Sequence, residues 1–154
     1  MRIYSQNFEH RAEIPKRFTQ FDANISPAIS IREVPATAKY LVLICSDPDA
    51  PDPLAPKRNF VHWVVYNLPC QDLDLPEAAD ISCLFDQAEE GINDRDCIGY
   101  IGPRPPIGTH RYFFKAYAVT KRIEKKNLTR QQVLDEIDGY VVDMAELIGL
   151  YSAP

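Results

Sequence analysis

The run Tyr-Leu-Val-Leu-Ile-Cys-Ser-Asp-Pro-Asp-Ala-Pro, residues 40–51, joins an apolar strand to a stiff acidic loop. Residues 40–45 have the length and the unbroken hydrophobicity of a strand that is buried between two layers. Four prolines between positions 48 and 56 then remove backbone donors and fix φ, which predicts a rigid loop. The run therefore predicts a sandwich strand that ends at Asp47.

Two further segments, residues 60–67 and 111–119, are rich in the β-branched and aromatic residues that strands favour. The first 38 residues are interrupted by Pro15, Pro27 and Pro35, so we expect only short strands there. The whole chain, residues 1–154, has the length of one ordinary domain. We therefore expect a single, mostly β domain.

The C-terminal segment has a helical period instead. Thr129 and Gln132 fit a capping box, and the apolar residues after them recur at helical spacing as far as Ile148. This pattern predicts one amphipathic C-terminal helix over residues 129–150, with its apolar stripe against a sheet. Gly139 weakens such a helix by roughly 1 kcal/mol relative to alanine, so the helix would depend on packing.

Composition limits the classes of partner. The chain has 17 basic and 22 acidic residues, a net charge of −5 and a pI near 5.2. This acidic balance argues against nucleic acid or an anionic membrane as the usual partner, because both require a positive surface. No secretory segment or bilayer-length apolar run is visible, so we expect a cytoplasmic protein without stable membrane insertion. The four cysteines form no CxxC pair and are expected to be reduced.

Polar residues follow the ends of the predicted strands. If the strands on either side of the proline-rich loop are antiparallel neighbours, Asp47 and His62 lie at the same edge of the sheet. Strict alternation along the second strand would then place His62 on the face of Val64 and Tyr66, with Trp63 on the opposite face.

A second loop, residues 99–109, leads into His110 and Tyr112. Gly102 supplies backbone freedom, and Pro106 with the proline before it forms a rigid wall. Alternation places the histidine and the tyrosine on one face of the strand that follows. Spacing alone does not show that this histidine meets the earlier one.

Together these segments closely resemble the phosphatidylethanolamine-binding protein family, which includes the Raf kinase inhibitor-like proteins. Three motifs carry the resemblance in the expected order: Asp47-Pro-Asp-Ala-Pro51, His62-Trp63, and Gly102-Pro-Arg-Pro-Pro-Ile-Gly108 running into His110-Arg-Tyr112. Shorter matches extend it over nearly the whole chain. The short length and the His-Trp pair are similar to the bacterial and archaeal branch.

The resemblance implies a β-sandwich of two antiparallel sheets with a small anion pocket at one edge and no cofactor. Carried over position by position, the implied ligand-binding residues are Asp47, Pro51, His62, Pro106, His110 and Tyr112. Residues that could form the pocket rim are Asp49, Gly102 and Arg104. The Ala50–Pro51 bond is a candidate cis peptide.

These residue types suit anion binding. Two histidines and the Tyr112 hydroxyl offer donors, and Asp47 can fix a histidine tautomer from behind. With no lysine or arginine carried over to the pocket floor, we expect modest phosphate affinity that increases at lower pH. Arg104 could add one cation.

The favoured interpretation is a non-enzymatic module that binds a small anion or a phosphorylated head group such as phosphoethanolamine. Whether the module also regulates a protein partner stays open, and the sequence does not name one. A Raf-inhibitor function is not transferred, because a motif describes a site and not a partner. A homodimer is expected only from the resemblance to bacterial relatives.

Two alternatives stay open. The first is a hydrolase in which His62 and His110 act as acid and base on an ester or phosphoester, with Ser46 adjoining the pocket. The second is a metal site using Asp47, Asp49, His62 and His110, which are acceptable ligand types at an unusual spacing.

Overall fold

The computed structural model describes residues 1–154, and two antiparallel sheets account for most of its regular structure. The smaller sheet has three strands in the order β1-β2-β5: β1 Arg2–Tyr4, β2 Ile29–Arg32 and β5 Leu73–Leu75. The larger sheet has five strands in the order β6-β4-β3-β7-β8: β3 Tyr40–Ala50, β4 Arg58–Pro69, β6 Glu89–Glu90, β7 Thr109–Val119 and β8 Val141–Ser152. The predicted sandwich of two antiparallel sheets is confirmed.

Helices are few and short. They are a 3-10 turn at Lys16–Phe18, α1 at Ile81–Leu84 and α2 at Arg130–Ile137. None of them is long or apolar enough to cross a bilayer. All four cysteines are free thiols, and only Cys45 is buried.

The main core lies between the two sheets. Ile29 and Ile31 of β2 pack in one cluster with Leu41 and Leu43 of β3, and Trp63 of β4 belongs to the same cluster. The continuous apolar run of β3 is explained by a second, smaller core on the opposite face of the larger sheet. There Val42, Ile44 and Val64 pack against Val133 and Ile137 of α2.

The predicted C-terminal helix is right at its start and wrong over most of its length. Thr129 and Gln132 form the expected capping box. The helix ends at Ile137, because Gly139 adopts φ 83° and turns the chain into β8. Residues 141–152 then pair with β7 along almost its whole length, so sheet hydrogen bonds outweigh the helical spacing of the apolar residues.

A β-bulge in β4 decides which way the site residues face. Cys45 pairs with Trp63 while Ser46 pairs with Val61, which leaves His62 as the extra residue. Val61 therefore joins the smaller core with Val64, and the ring of His62 contacts Tyr112, which belongs to the main core. The prediction that His62 faces away from Trp63 is wrong, because it assumed unbroken alternation.

Candidate functional site

A pocket of about 520 Å³ opens at the end of the sandwich where β3, β4 and β7 meet their loops. Its volume lies within the range of small-molecule sites. The residues that line it are Gln20, Asp47, Ala50, Pro51, Lys57, Arg58, Phe60, His62, Arg95, Arg104, Pro105, Pro106, His110 and Tyr112. All six residues predicted to bind ligand are among them, as is Arg104. Asp49 and Gly102 lie outside this lining.

His110 and Asp47 form a buried pair in the wall of the pocket. Nδ1 of His110 lies 2.6 Å from Oδ2 of Asp47, and Nε2 donates to the carbonyl oxygen of Ile107 at 3.0 Å. Since that carbonyl can only accept, the Nε2 hydrogen is required, and one further proton lies between Nδ1 and the carboxylate. Burial raises the pKa of the Asp47 carboxyl, while the hydrogen bond from His110 opposes that shift. The pair is therefore neutral overall, with both ring nitrogens occupied.

His62 has a different hydrogen-bonding arrangement. Its Nδ1 donates to the carbonyl oxygen of Ile101 at 2.7 Å, and the side chain is almost completely buried. Burial lowers the pKa of His62 to about 4, so the ring is neutral at physiological pH. Its Nε2 then carries a lone pair and has no hydrogen-bond partner in the protein. His62 thus presents an acceptor, where the sequence analysis expected a donor.

Tyr112 lies between the two histidines. Its ring meets His62 edge-on with centroids 5.2 Å apart and stacks over His110 at 6.4 Å. The hydroxyl is buried and is the one buried side-chain polar atom in the protein without a hydrogen-bond partner. Burial is the main cause that raises the pKa of Tyr112 far above its usual range, so the hydroxyl keeps its proton. The pocket floor therefore offers one donor that nothing in the protein satisfies.

Asp49 holds the proline-rich loop in place from behind the pocket. Its Oδ2 accepts hydrogen bonds from the backbone and from Nε of Arg111, and its Oδ1 accepts from Nη2 of Arg111. These bonds lower the pKa of the Asp49 carboxyl. Oδ1 of Asp47 accepts from the Asp49 backbone as well, and the Ala50–Pro51 peptide, a candidate from the sequence, is cis. Asp49 thus positions Asp47 and Pro51 without lining the pocket.

Gly102 has a steric role in the opposite loop. A Cβ atom at this position would lie 2.1 Å from the carbonyl oxygen of Phe18. The Gly102 N–H donates to Oδ1 of Asn24 at 2.7 Å, and its carbonyl accepts from Nε2 of Gln20 at 2.9 Å. The glycine is required for this close approach, and the second loop is thereby fixed against the segment that carries Gln20.

Four basic side chains surround the mouth of the pocket: Lys57, Arg58, Arg95 and Arg104. All four residues are exposed. Arg58 pairs with Asp94 at 3.0 Å, whereas the side chains of the other three make no ion pair. Of these four cations, only Arg104 was expected from the sequence. Lys57 and Arg58 directly follow the proline-rich loop, and that position was the available signal.

The hydrolase and the metal site, the two alternatives from the sequence, can be compared with the positions of the residues that each of them needs. Ser46 does not line the pocket, because alternation along β3 turns it to the opposite face from Asp47. Both nitrogens of His110 are occupied by protein partners. No three histidine, cysteine, aspartate or glutamate side chains group as metal ligands would. Neither a nucleophile next to a base nor a ligand cluster is present in the pocket.

Comparison with known proteins agrees with this architecture. A family model described as phosphatidylethanolamine-binding protein matches residues 4–152. The chain belongs to the phosphatidylethanolamine-binding protein family. A UPF0098 protein of the archaeon Methanothermobacter thermautotrophicus is 40% identical over 153 residues, which is 98% of each chain.

Two solved bacterial structures share the fold of the phosphatidylethanolamine-binding proteins. A homolog of the family from Chlamydia trachomatis superposes with a TM-score of 0.90 at 38% identity, covering 99% of this chain and 97% of its own. YbcL of Escherichia coli, described as a new member of the mammalian family, gives a TM-score of 0.87 at 25% identity, with 99% and 98% coverage. These three relatives are archaeal or bacterial, which agrees with the branch that the resemblance predicted.

Proposed function

We propose that the protein is a non-enzymatic binding module whose pocket takes a small anion or the phosphorylated head group of a larger molecule. The observation that carries the proposal is the group of four basic side chains around one pocket in a protein of net charge −5. A cleft lined with one sign of charge concentrates ligands of the opposite sign. O-phosphoethanolamine, which is a phosphomonoester, is one small ligand of this class.

The pocket floor supports the same ligand class. The buried Tyr112 hydroxyl has no partner in the protein, and an anionic oxygen would satisfy it. Apolar rings from Pro51, Phe60 and Pro106 also line the pocket, and a bound ligand would shield its inner oxygen from water, which strengthens the hydrogen bonds of that oxygen. The neutral Asp47–His110 pair adds no negative charge that would repel an anion.

Binding is favoured over hydrolysis because the pocket lacks an activated nucleophile. Ser46 faces away from it, and His110 has no nitrogen free to exchange a proton with a ligand. The predicted acid–base mechanism needs two groups within hydrogen-bond reach of the reacting atoms, and of the two histidines only His62 has a free nitrogen.

The direct test is titration with inorganic phosphate, O-phosphoethanolamine and acetate by calorimetry and by amide chemical shifts. We expect saturable shifts at residues 47–51 and 101–112, and weaker binding in Tyr112→Phe. Tyr117→Phe, on the same strand but in contact with the smaller core, is the matched control and should bind normally. Absence of shifts in these two segments, or turnover of chromogenic esters and phosphoesters that is lost in His110→Ala, would overturn the proposal.

A protein partner at the pocket mouth is a second part of the proposal. Leu54 is 95% exposed and Ile107 is 53% exposed, and their loops adjoin, since a Cβ on Gly108 would lie 3.1 Å from Pro53. Exposed apolar side chains beside a charged cleft are typical of interaction surfaces. Pull-down with wild type and with the Leu54→Asp, Ile107→Asp double variant tests this part. Identical sets of recovered proteins would contradict it.

Self-association is a third part. The outer edge of β8 pairs with no strand over its first half, and the side chains of Tyr140, Val141, Val142 and Met144 are 42–46% exposed there. An open antiparallel edge can pair with its own copy about a two-fold axis. We therefore propose a homodimer formed through residues 140–144.

A further inference from the structure

The two polar groups at the pocket floor have fixed and opposite hydrogen-bonding roles. A neutral imidazole carries one N–H, and His62 uses it at Nδ1 for the carbonyl oxygen of Ile101 at 2.7 Å. Its Nε2 is therefore an acceptor. Tyr112, whose ring contacts that of His62 edge-on, has a hydroxyl that can donate. A ligand that satisfies both groups must supply one hydrogen and one lone pair.

The charges around His62 do not reverse its role. Asp47 on β3 and His110 on β7 share a proton and are neutral as a pair. Asp94, in the loop after β6, raises the pKa of His62 and its neighbour Arg95 lowers it, but burial is the larger cause. The remaining cations, Lys57, Arg58 and Arg104, lie at the exposed rim. The acceptor is thus retained from about pH 5 upward.

We infer that the pocket selects oxyanions that carry an ionisable hydrogen, namely phosphomonoesters and inorganic phosphate in their singly charged forms, over sulfate and phosphodiesters. This inference rests on the proposed function and specifies its ligand class. The P–OH group of such a ligand donates to Nε2 of His62, and a P–O⁻ oxygen accepts from the Tyr112 hydroxyl. Sulfate and phosphodiesters bring only lone pairs to Nε2, so that one acceptor faces another inside the occupied pocket.

The pocket floor favours the singly charged phosphate, whereas the basic rim favours the dianion because its charge is positive. Its side chains are exposed and their attraction is screened by salt, whereas the floor is buried and is screened much less. The rim therefore sets how strongly any anion is attracted, and the floor sets which protonation state is bound. Titrations at high ionic strength separate the two contributions.

The test compares methyl phosphate, methylphosphonate, dimethyl phosphate and sulfate by calorimetry between pH 5 and pH 8 at high salt. Methyl phosphate affinity should fall as pH rises through its second pKa near 6. The midpoint for methylphosphonate should move to higher pH, because its second ionisation is weaker. Sulfate and dimethyl phosphate should bind roughly tenfold more weakly or worse at pH 5, with little pH dependence.

A variant converts the acceptor into a donor. In His62→Gln the two amide hydrogens can serve the Ile101 carbonyl and the ligand together, so we expect sulfate affinity to approach that of phosphate and the pH dependence to flatten. Thermal melting and an amide spectrum check that the variant is folded. The ligand series on the wild-type protein tests the inference even if the variant does not fold. Equal phosphate and sulfate affinity in wild type, or one pH midpoint shared by both titrating ligands, would overturn the inference and leave the proposed function standing. Failure of every oxyanion to bind at any pH would overturn both.

Discussion

Oδ2 of Asp47 lies 2.6 Å from Nδ1 of His110, and the two buried side chains share one proton. The opposite nitrogen of the ring donates to Ile107, so the histidine cannot leave the aspartate without losing a second hydrogen bond. The pair thereby joins the end of β3 to the start of β7 at the pocket wall.

Substitution of Asp47 should depend strongly on the replacement. In Asp47→Asn the amide can donate to a neutral His110 while its oxygen still accepts from Asp49, so we expect a loss in unfolding free energy below about 1 kcal/mol. Asp47→Ala leaves buried polar groups unpaired and should cost roughly 2–3 kcal/mol. Urea denaturation at pH 7 measures both. Equal destabilisation would show that no proton is shared in this way.

His62 should make the protein less stable in mild acid. Its pKa is about 4 in the folded state against 6.5 when exposed, so between these values only the unfolded chain takes up the proton. Stability should therefore fall as pH decreases from 6.5 to 4, by roughly 3 kcal/mol from this group. His62→Gln lacks the titrating ring and should show a shallower decrease in urea midpoints across this window. Parallel curves for the two proteins would contradict the assignment.

The rim cations should contribute unequally to anion affinity. Arg104 and Arg95 have no ion-pair partner, whereas Asp94 already neutralises much of Arg58. We expect Arg104→Ala and Arg95→Ala each to weaken phosphate binding about two- to fivefold at low salt, with a smaller effect for Arg58→Ala. Lys126→Ala, in the loop before α2, is the control. Calorimetry at two salt concentrations measures these affinities. An unchanged phosphate affinity in the Arg95, Arg104 double variant would show that the rim cations do not contribute to binding.

Arg111 should matter for the site although it does not line the pocket. Arg111→Ala removes the side-chain bonds to the nearly buried Asp49, and we expect a loss of about 1–2 kcal/mol together with weaker phosphate binding. Since Arg111 lowers the pKa of Asp49, its contribution is present at neutral pH and disappears as pH falls through the folded-state pKa.

Lys115→Ala on the same strand is the control for Arg111, because its ion pair with Glu146 is long and partly exposed. Equal changes in urea midpoint and phosphate affinity for the two variants would contradict the proposed role of Arg111.

The proposed homodimer should depend on the first half of β8. Val142→Lys and Met144→Lys place charge on the open edge and should give monomers by sedimentation velocity, at unchanged thermal stability of the monomer. Leu54→Lys, far more exposed but in the pocket loop, should leave the dimer intact. A wild-type protein that sediments as a monomer would remove this part of the proposal.

Local patterns predicted the fold correctly wherever neighbouring residues alone determine the secondary structure. The apolar strand from Tyr40 and the capping box at Thr129 are confirmed, and the six motif residues line one pocket. The extent of the C-terminal helix was wrong, because residues 141–152 have apolar positions compatible with both periods. Pairing with β7, a contact distant along the chain, decides between them.

The sequence named seven of the 14 residues that line the pocket, but it did not indicate their hydrogen-bonding roles. A sequence shows where a histidine lies but not which ring nitrogen carries the hydrogen. For His62 this is decided by the carbonyl of Ile101, in a loop 39 residues away. The rim cations Arg58 and Arg95 lie on segments that only the folded sheet brings together. Their contribution could not be inferred from an overall charge of the opposite sign.

The bulge at His62 makes the length of one short segment as important as its composition. Apolar residues of β4 beyond Trp63 can exchange for one another with modest effect, because each keeps its side of the sheet. Removing Asn59 or Phe60 would restore regular pairing and turn the imidazole out of the pocket towards the smaller core, while the main core between the sheets remained intact. In the evolution of this fold, a one-codon deletion there would remove the His62 contact from the pocket while both sheets were retained.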